Sequence, residues 1–261
     1  MRLCFALAVT ATTQYAARQL HIQTHPLQDR WRPLCAVVIP CLNESGTIGP
    51  LVHEVSNYLA NVIVVDDGSS DSTASEAAAA GARVVQLPRS SGKGAALLAG
   101  WQAASKAGFT WVLNMDGDGQ HAPADIPGFF AQTQIDRPEL VIGNRLHNPR
   151  PMPPLRRFVN RWMTRRLSRR LGVRLEDSQC GFRLMPLPPF LANLVTQRFE
   201  IESEIIAAAA RLKIPIRFVP IQVIYRSGRS KINPFTDTVR WFRWFFSIRP
   251  LRSRPLRDQH D

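Results

Sequence analysis

Asp116-Gly117-Asp118-Gly119-Gln120-His121 sets two carboxylates and an amide at alternate positions directly after an apolar run, Trp111-Val112-Leu113-Asn114-Met115. Hard divalent cations take oxygen ligands of this kind, and Mg²⁺ in particular binds through one or two carboxylates while sharing its shell with water and substrate phosphates. Asp-Gly-Asp-Gly is also ordinary turn chemistry. A metal-assisted phosphate site and a plain turn are both open on these residues alone, so their surroundings decide. Two further polar clusters follow apolar runs: Pro40-Cys41-Leu42-Asn43-Glu44 after Cys35–Ile39, and Asp66-Asp67-Gly68-Ser69-Ser70-Asp71 after Asn61–Val65. Carboxylates at a strand end can accept hydrogen bonds from a nucleobase or ribose.

The elements that must position these clusters alternate. Short β-rich runs at Cys35–Ile39, Asn61–Val65, Val84–Gln86, Trp111–Met115 and Glu139–Ile142 are separated by helical stretches near Thr47–Leu59, from Asp71 or Ser72 to Gly81, and over Gly94–Lys106. Near-continuous apolar strands alternating with helices predict an α/β fold, a mostly parallel sheet with helices on both faces. Ligands of such sheets sit at the carboxyl ends of the strands, where the acidic clusters fall. Gly92-Lys93-Gly94 lacks the spacing of a P-loop and reads as a glycine-permitted turn into a helix, with Lys93 a candidate neighbour of phosphate. His121 and Cys180 read as structural, because an oxygen ligand set suits Mg²⁺ or Mn²⁺.

The 261 residues are enough for one large domain or two small ones, and a hydrophobic content of 45% supports a substantial core. The net charge of +13 is the unusual quantity. A field of that sign attracts phosphates, nucleic acid or anionic lipid. Four cysteines without a Cys-x-x-Cys pair indicate neither a zinc site nor a disulfide framework, and point to a reducing cytoplasm. The apolar run Leu3–Val9 is short for a signal peptide, and no stretch approaches the ~18 apolar residues of a membrane span. We expect residues 1–33 to be a loosely ordered extension, 34–231 the folded domain, and 232–261 a basic aromatic segment.

Between Arg145 and Arg174 there are ten arginines and no acidic residue. Leu155, Phe158, Val159, Trp162, Met163, Leu167 and Leu171 follow helical spacing, with Arg156, Arg157, Arg161, Arg165, Arg169 and Arg170 between them. This basic amphipathic helix reads either as docked on the core with a solvated arginine face or as lying at a membrane surface. Trp241, Phe242, Trp244, Phe245 and Phe246 beside Arg240 and Arg243 favour the membrane, since aromatic rings and arginines suit the headgroup zone. Nucleic acid is disfavoured as a partner, because the acidic strand ends would repel its backbone.

The order strand-Pro-x-x-Asn-Glu, strand-Asp-Asp-Gly-Ser-x-Asp, strand-x-Asp-x-Asp-x-Gln-His resembles the inverting glycosyltransferases of family 2, which have the GT-A fold, and most of all their polyprenyl-phosphate (dolichol-phosphate) mannosyl- and glucosyltransferases. Similar pieces continue at Ser91-Gly92-Lys93-Gly94, Gly143-Asn144-Arg145, Asp177-Ser178-Gln179-Cys180-Gly181-Phe182-Arg183, Phe199-Glu200-Ile201-Glu202 and Ser230-Lys231. The resemblance implies that Pro40, Leu42 and Glu44, with Val65 and Asp67, hold the base and ribose of a nucleotide sugar of the GDP-mannose or UDP-glucose class. It implies that Asp116 and Gly117 contact that donor, and that Asp118 and Gln120 ligate Mg²⁺ or Mn²⁺. Arg145, Arg226 and Lys231 would meet phosphate or sugar oxygens, and Arg183 would add positive charge near the acceptor. Leu42 stands where an aromatic residue is common in that branch, and the spacing from Arg226 to Lys231 is shifted by one.

Departure of a nucleoside diphosphate puts negative charge where a metal, arginine and lysine can stabilise it. A phosphate-monoester acceptor is already anionic and needs no strong base; a hydroxyl acceptor does, and Asp177 is then the candidate. The expected function is hexose transfer to polyprenyl phosphate by a peripheral protein on the cytoplasmic membrane face, with a separate membrane protein as a plausible anchor. The alternative is a related transferase with a saccharide or other hydroxyl acceptor in cell-envelope or glycolipid synthesis.

Overall fold

A computed structural model describes residues 29–147, 152–194, 200–224 and 234–247. Arg226 and Lys231, expected at the phosphates, lie outside the described residues, as do Cys4 and Phe199. In chain order the elements are β1 (Cys35–Cys41), α1 (Ile48–Ser56), β2 (Val62–Asp66), α2 (Thr73–Ala79), β3 (Arg83–Gln86), α3 (Lys93–Lys106), β4 (Trp111–Asn114), α4 (Ile126–Ala131) and β5 (Leu140–Asn144). There follow α5 (Pro154–Leu171), β6 (Arg183–Pro186), α6 (Leu187–Leu191), α7 (Ile201–Leu212), β7 (Ile216–Pro220) and α8 (Pro234–Ser247).

The strands form one sheet of seven in the order β3-β2-β1-β4-β6-β5-β7. Every pairing is parallel except those of β6, which runs antiparallel to both β4 and β5. The expected mostly parallel sheet is present, and β6, α7 and β7 are additions that the sequence reading did not make. In β2, β4 and β5 every residue is buried, so both faces of the central sheet are covered, as parallel strands require. At Gly100 of α3, a Cβ would stand 2.4 Å from Val38 Cγ1, so the helix approaches the sheet more closely than any side chain would permit.

α2 begins and ends where local chemistry directs. The Asp71 carboxylate accepts the Thr73 N–H at 3.0 Å, and Gly81 follows the helix at φ +94°. Trp31 belongs to the packed structure although it precedes position 34. It is 1% exposed, stacked on Phe130 at 4.9 Å and set edge-on to Trp111 at 5.1 Å.

α5 divides along its length. Met163, Leu167 and Leu171 are buried, whereas Leu155 and Phe158 in its first turns are 75% and 67% exposed. The aromatic face of α8, expected in a headgroup zone, is largely turned inward: Trp241 and Phe245 are buried, and the Trp241 Nε1–H donates to Ser203 Oγ at 3.0 Å. Trp162 of α5 meets Trp241 and Phe242 at 6.1 and 5.5 Å. Phe246, near the end of α8, is exposed. Among the described residues no helix is long and apolar enough to cross a membrane.

Candidate active site

Strands β2, β1 and β4 are adjacent and parallel, so their carboxyl ends open on one side of the sheet. The chain leaves β1 toward β2 and β3 on one side and returns to β4 on the other, which makes the β1/β4 crevice a point where ligands bind in open α/β sheets. The three polar clusters meet there. The Asp67 N–H donates to Cys41 O at 2.8 Å, and Asn43 exchanges bonds with the Ser69–Ser70 turn: its N–H donates to Ser69 Oγ, and its Oδ1 accepts the Ser70 N–H, both at 2.9 Å. The Glu44 N–H donates to Thr73 Oγ1 at 2.8 Å. Gly117 has no room for a side chain, since a Cβ would lie 2.5 Å from Cys41 Sγ and 3.3 Å from Pro40 O.

Asp67, expected at the nucleotide, is buried and anchors the loop leading into α3. Its carboxylate accepts the Ser91 and Gly92 N–H groups at 2.7 and 2.9 Å and the Ser90 hydroxyl at 3.0 Å. That anchorage fixes Lys93, the first residue of α3. Lys93 Nζ donates to Asp116 Oδ1 at 2.6 Å and to Glu202 Oε1 at 2.5 Å. The other oxygen of Asp116 faces His121 Nε2 at 3.3 Å, while His121 Nδ1 is buried with no partner among the described residues. Burial alone would lower the Lys93 pKa, but the charges of Asp116 and Glu202 outweigh it and hold the ammonium well above its ordinary value. Burial likewise works against the Asp116 carboxylate, and Lys93 and His121 reverse the effect, keeping it far below the usual range.

Gly181 completes this arrangement. A Cβ there would stand 2.6 and 2.7 Å from the two Asp116 oxygens, so the carboxylate packs directly on the backbone of the Gln179–Phe182 turn. Sequence reasoning missed the Lys93–Asp116–Glu202 cluster. Its pieces were noticed separately, but 109 positions separate Lys93 from Glu202 and no local pattern connects them.

Asp118 is held more lightly. Its Oδ1 accepts the Gln120 N–H at 3.0 Å, and its second oxygen and the Gln120 side-chain amide have no partner among the described residues. No group of three or more His, Cys, Asp or Glu side chains among the described residues could hold a metal by itself. An oxygen-only pair with spare coordination capacity fits Mg²⁺ or Mn²⁺ if the remaining ligands come from water and phosphate.

Asp177 and Arg145 are brought together as a buried bidentate pair. Arg145 Nε and Nη2 donate to Asp177 Oδ2 and Oδ1 at 2.9 and 3.1 Å, and the Arg145 and Gln179 N–H groups fill the remaining positions at 3.3 and 3.0 Å. Asp177 is 0% exposed and all four of its acceptor sites are used. Burial would raise its pKa, but the Arg145 charge lowers it below the ordinary range. The base role offered for Asp177 with a hydroxyl acceptor would require this carboxylate to leave Arg145. Arg183, expected near the acceptor, is 1% exposed and braces backbone instead: it donates to the carbonyls of Cys180, Glu202 and Ser178. Those three bonds tie β6 to the start of α7, through Glu202, and to the Ser178–Cys180 turn. Beside the Arg145–Asp177 pair opens a cleft of about 260 Å³ lined by Asn144, Arg161, Thr164, Arg165 and Glu176.

Residues 36–190 match the profile described as Glycosyl transferase family 2, which spans more than half of the chain. The chain belongs to glycosyltransferase family 2. Among the relatives of this family 2 member is the UDP-N-acetylglucosamine–dolichyl-phosphate N-acetylglucosaminyltransferase of Methanococcus voltae, 29% identical over 74% of this chain and 86% of that one. Another is the polyprenol monophosphomannose synthase of Mycolicibacterium smegmatis, 34% identical over 56% of this chain and 59% of the other. Glucosyl-3-phosphoglycerate synthase from Mycobacterium tuberculosis, solved with Mn²⁺, UDP and phosphoglyceric acid, superposes with a TM-score of 0.66 over 85% of this chain and 80% of that one. At 22% identity that likeness is one of fold, and the fold is the GT-A arrangement that the sequence resemblance implied.

Proposed function

We propose that this glycosyltransferase is an inverting, metal-dependent hexosyltransferase that uses a nucleotide-diphosphate sugar and a polyprenyl-phosphate acceptor at the cytoplasmic surface of a membrane. The observation that carries the acceptor class is the state of its carboxylates. Asp177 has every lone pair taken, and both oxygens of Asp116 face cationic or N–H donors. Neither is free to remove a proton from a hydroxyl, and an acceptor that is already an anion at neutral pH does not ask for it. The names of the relatives from Methanococcus voltae and Mycolicibacterium smegmatis support the same acceptor class.

In this reading Pro40, Leu42, Glu44, Val65 and Asp67 border the nucleoside, and Asp116 and Gly117 border the sugar side of the donor. Asp118 and Gln120 would hold Mg²⁺ or Mn²⁺, which when bound supplies positive charge beside the diphosphate. Arg161 and Arg165 offer guanidinium donors in the cleft for the acceptor phosphate, and Arg145, whose Nη1 has no partner among the described residues, lies next to it. The acceptor phosphate oxygen forms the new bond to the anomeric carbon as the bond to the diphosphate breaks. The electron pair leaves with the nucleoside diphosphate, and the configuration inverts.

The test is a donor panel of GDP-mannose, UDP-glucose and UDP-N-acetylglucosamine with Mg²⁺ or Mn²⁺, offered polyprenyl phosphate and, separately, saccharide acceptors. Transfer to the lipid phosphate is the expected result. Transfer to a saccharide alone would overturn the acceptor assignment.

Membrane contact is supported by α5, where exposed Leu155 and Phe158 adjoin arginines. Basic residues near an anionic surface contribute about 1 kcal/mol each, and a shallow apolar insertion adds to that. Replacing both Leu155 and Phe158 with serine should lower retention on anionic liposomes by roughly tenfold or more while leaving the melting temperature close to wild type, as expected for exposed positions. Unchanged sedimentation with the liposomes would remove this edge from the contact.

A further inference from the structure

Lys93, His121 and Gly181 meet at the Asp116 carboxylate, and Glu202 holds Lys93 from a further part of the chain. Taken only as a buried ion pair, the cluster would fasten α3 to α7. Its position beside Asp118 gives it a more specific consequence. An Asp-x-Asp segment with both carboxylates free would offer a divalent cation two anionic groups. Here Asp116 Oδ1 is occupied by Lys93 at 2.6 Å, Oδ2 faces His121 at 3.3 Å, and the whole carboxylate lies against the Gly181 backbone. Lys93 cannot readily swing away, because the Asp67 carboxylate pins the backbone at Ser91 and Gly92, and Glu202 holds the ammonium from the opposite side at 2.5 Å.

We propose that Lys93, tied down by Glu202, is a positioning residue that withholds Asp116 from the metal, so that the divalent cation is retained only together with the diphosphate of the donor. The inference rests on the reading of Asp118 and Gln120 as the metal ligands. What the chain then presents is one carboxylate oxygen and one amide to an ion that prefers six oxygen ligands. A nucleoside diphosphate supplies the missing anionic oxygens. The ammonium also places a positive charge beside the site, which opposes a lone cation and is offset once the diphosphate is present.

Mn²⁺ titrations of the full chain, followed by the electron paramagnetic resonance of the free ion, test this without any turnover. Wild-type protein should bind Mn²⁺ weakly alone and about tenfold or more tightly with UDP or GDP. Lys93→Met should bind Mn²⁺ alone roughly tenfold more tightly than wild type, the scale on which groups surrounding a metal's ligands alter affinity. Lys93→Arg should behave as wild type, and Lys93→Met combined with Asp116→Asn should lose the gain. Equal wild-type affinity with and without either nucleotide would overturn the proposal, and that comparison needs no variant to fold. No gain in a Lys93→Met protein with a wild-type circular dichroism spectrum would overturn it as well. Asp118→Ala separates the two layers: if it retains nucleotide-dependent Mn²⁺ binding, the underlying ligand assignment is at fault rather than the role of Lys93.

Discussion

Asp118→Ala is expected to reduce sugar transfer by about 10²–10³-fold or more, the range seen when a group stabilising developing negative charge is removed. The fold should barely register the change. Asp118 is partly exposed, and its one hydrogen bond among the described residues, from the Gln120 N–H, is local and worth about 1 kcal/mol. The expected pattern is thus a large kinetic loss with a melting temperature within a few degrees of wild type. Asp118→Asn sharpens the test, because the amide oxygen preserves the turn bond but removes the charge, and transfer should still be lost. Retained activity in either variant would overturn the assignment of Asp118 to the metal. A loss of activity accompanied by a cooperative loss of structure would instead show that the turn matters more to the fold than its exposure indicates.

The contrast with Asp116 shows how much of the site could be read from the chain. Periodicity located β1, β2, β4 and β5 because those strands are buried on both faces and their apolar runs are nearly unbroken, and it located the edge strand β3 from the short run Val84-Val85-Gln86 although no residue of β3 is fully buried. Strand order was not accessible to the same reasoning. β6 has four residues and carries Arg183 and Pro186, so it does not look like a central strand, yet it separates β4 from β5. Arg183 is tolerated there because three backbone carbonyls receive its guanidinium. Pairing of that kind depends on α7 and the Ser178–Cys180 turn arriving at the same place, which is a property of the tertiary fold.

The same distinction runs through the carboxylates. Sequence spacing marked Asp67, Asp116, Asp118 and Asp177 as residues that could do chemistry, but it could not separate those aimed outward from those spent inside. Asp67 anchors a loop, Asp116 is clamped by Lys93, Asp177 is enclosed by Arg145, and Asp118 keeps an oxygen without a partner among the described residues. α5 and α8 diverged from their patterns for a related reason. Both have faces apolar enough for lipid, but part of that surface is used inside the fold, where Trp162 of α5 meets Trp241 and Phe242 of α8 and Trp241 reaches Ser203 of α7, while Leu155, Phe158 and Phe246 stay exposed.

The second large effect is expected at Arg145 and Asp177. Asp177→Asn keeps the shape of the side chain but strands a guanidinium that is 8% exposed, and breaking a buried pair from one side costs about 3–5 kcal/mol. Because the folded-state pKa of Asp177 is lowered, the stability it contributes is fully present above the unfolded carboxylate range, near pH 4, and is lost as the pH falls through the lower folded value. Chemical denaturation should therefore show a large gap between wild type and Asp177→Asn at pH 7, and the gap should narrow only in strong acid. Its effect on transfer discriminates between two roles. A general base would leave its mark as a lost acidic limb in the pH–rate profile and a drop of roughly 10²–10⁴-fold in folded enzyme. A brace for Arg145 predicts an unchanged profile shape, with weaker use of the phosphate acceptor because the guanidinium is no longer aimed. Arg145→Lys bears on the same point, since a lysine cannot reproduce the paired donation from Nε and Nη2 and should recover little of the lost stability. An Asp177→Asn enzyme that is as stable as wild type yet loses the acidic limb would restore the base assignment, and with it the hydroxyl acceptor.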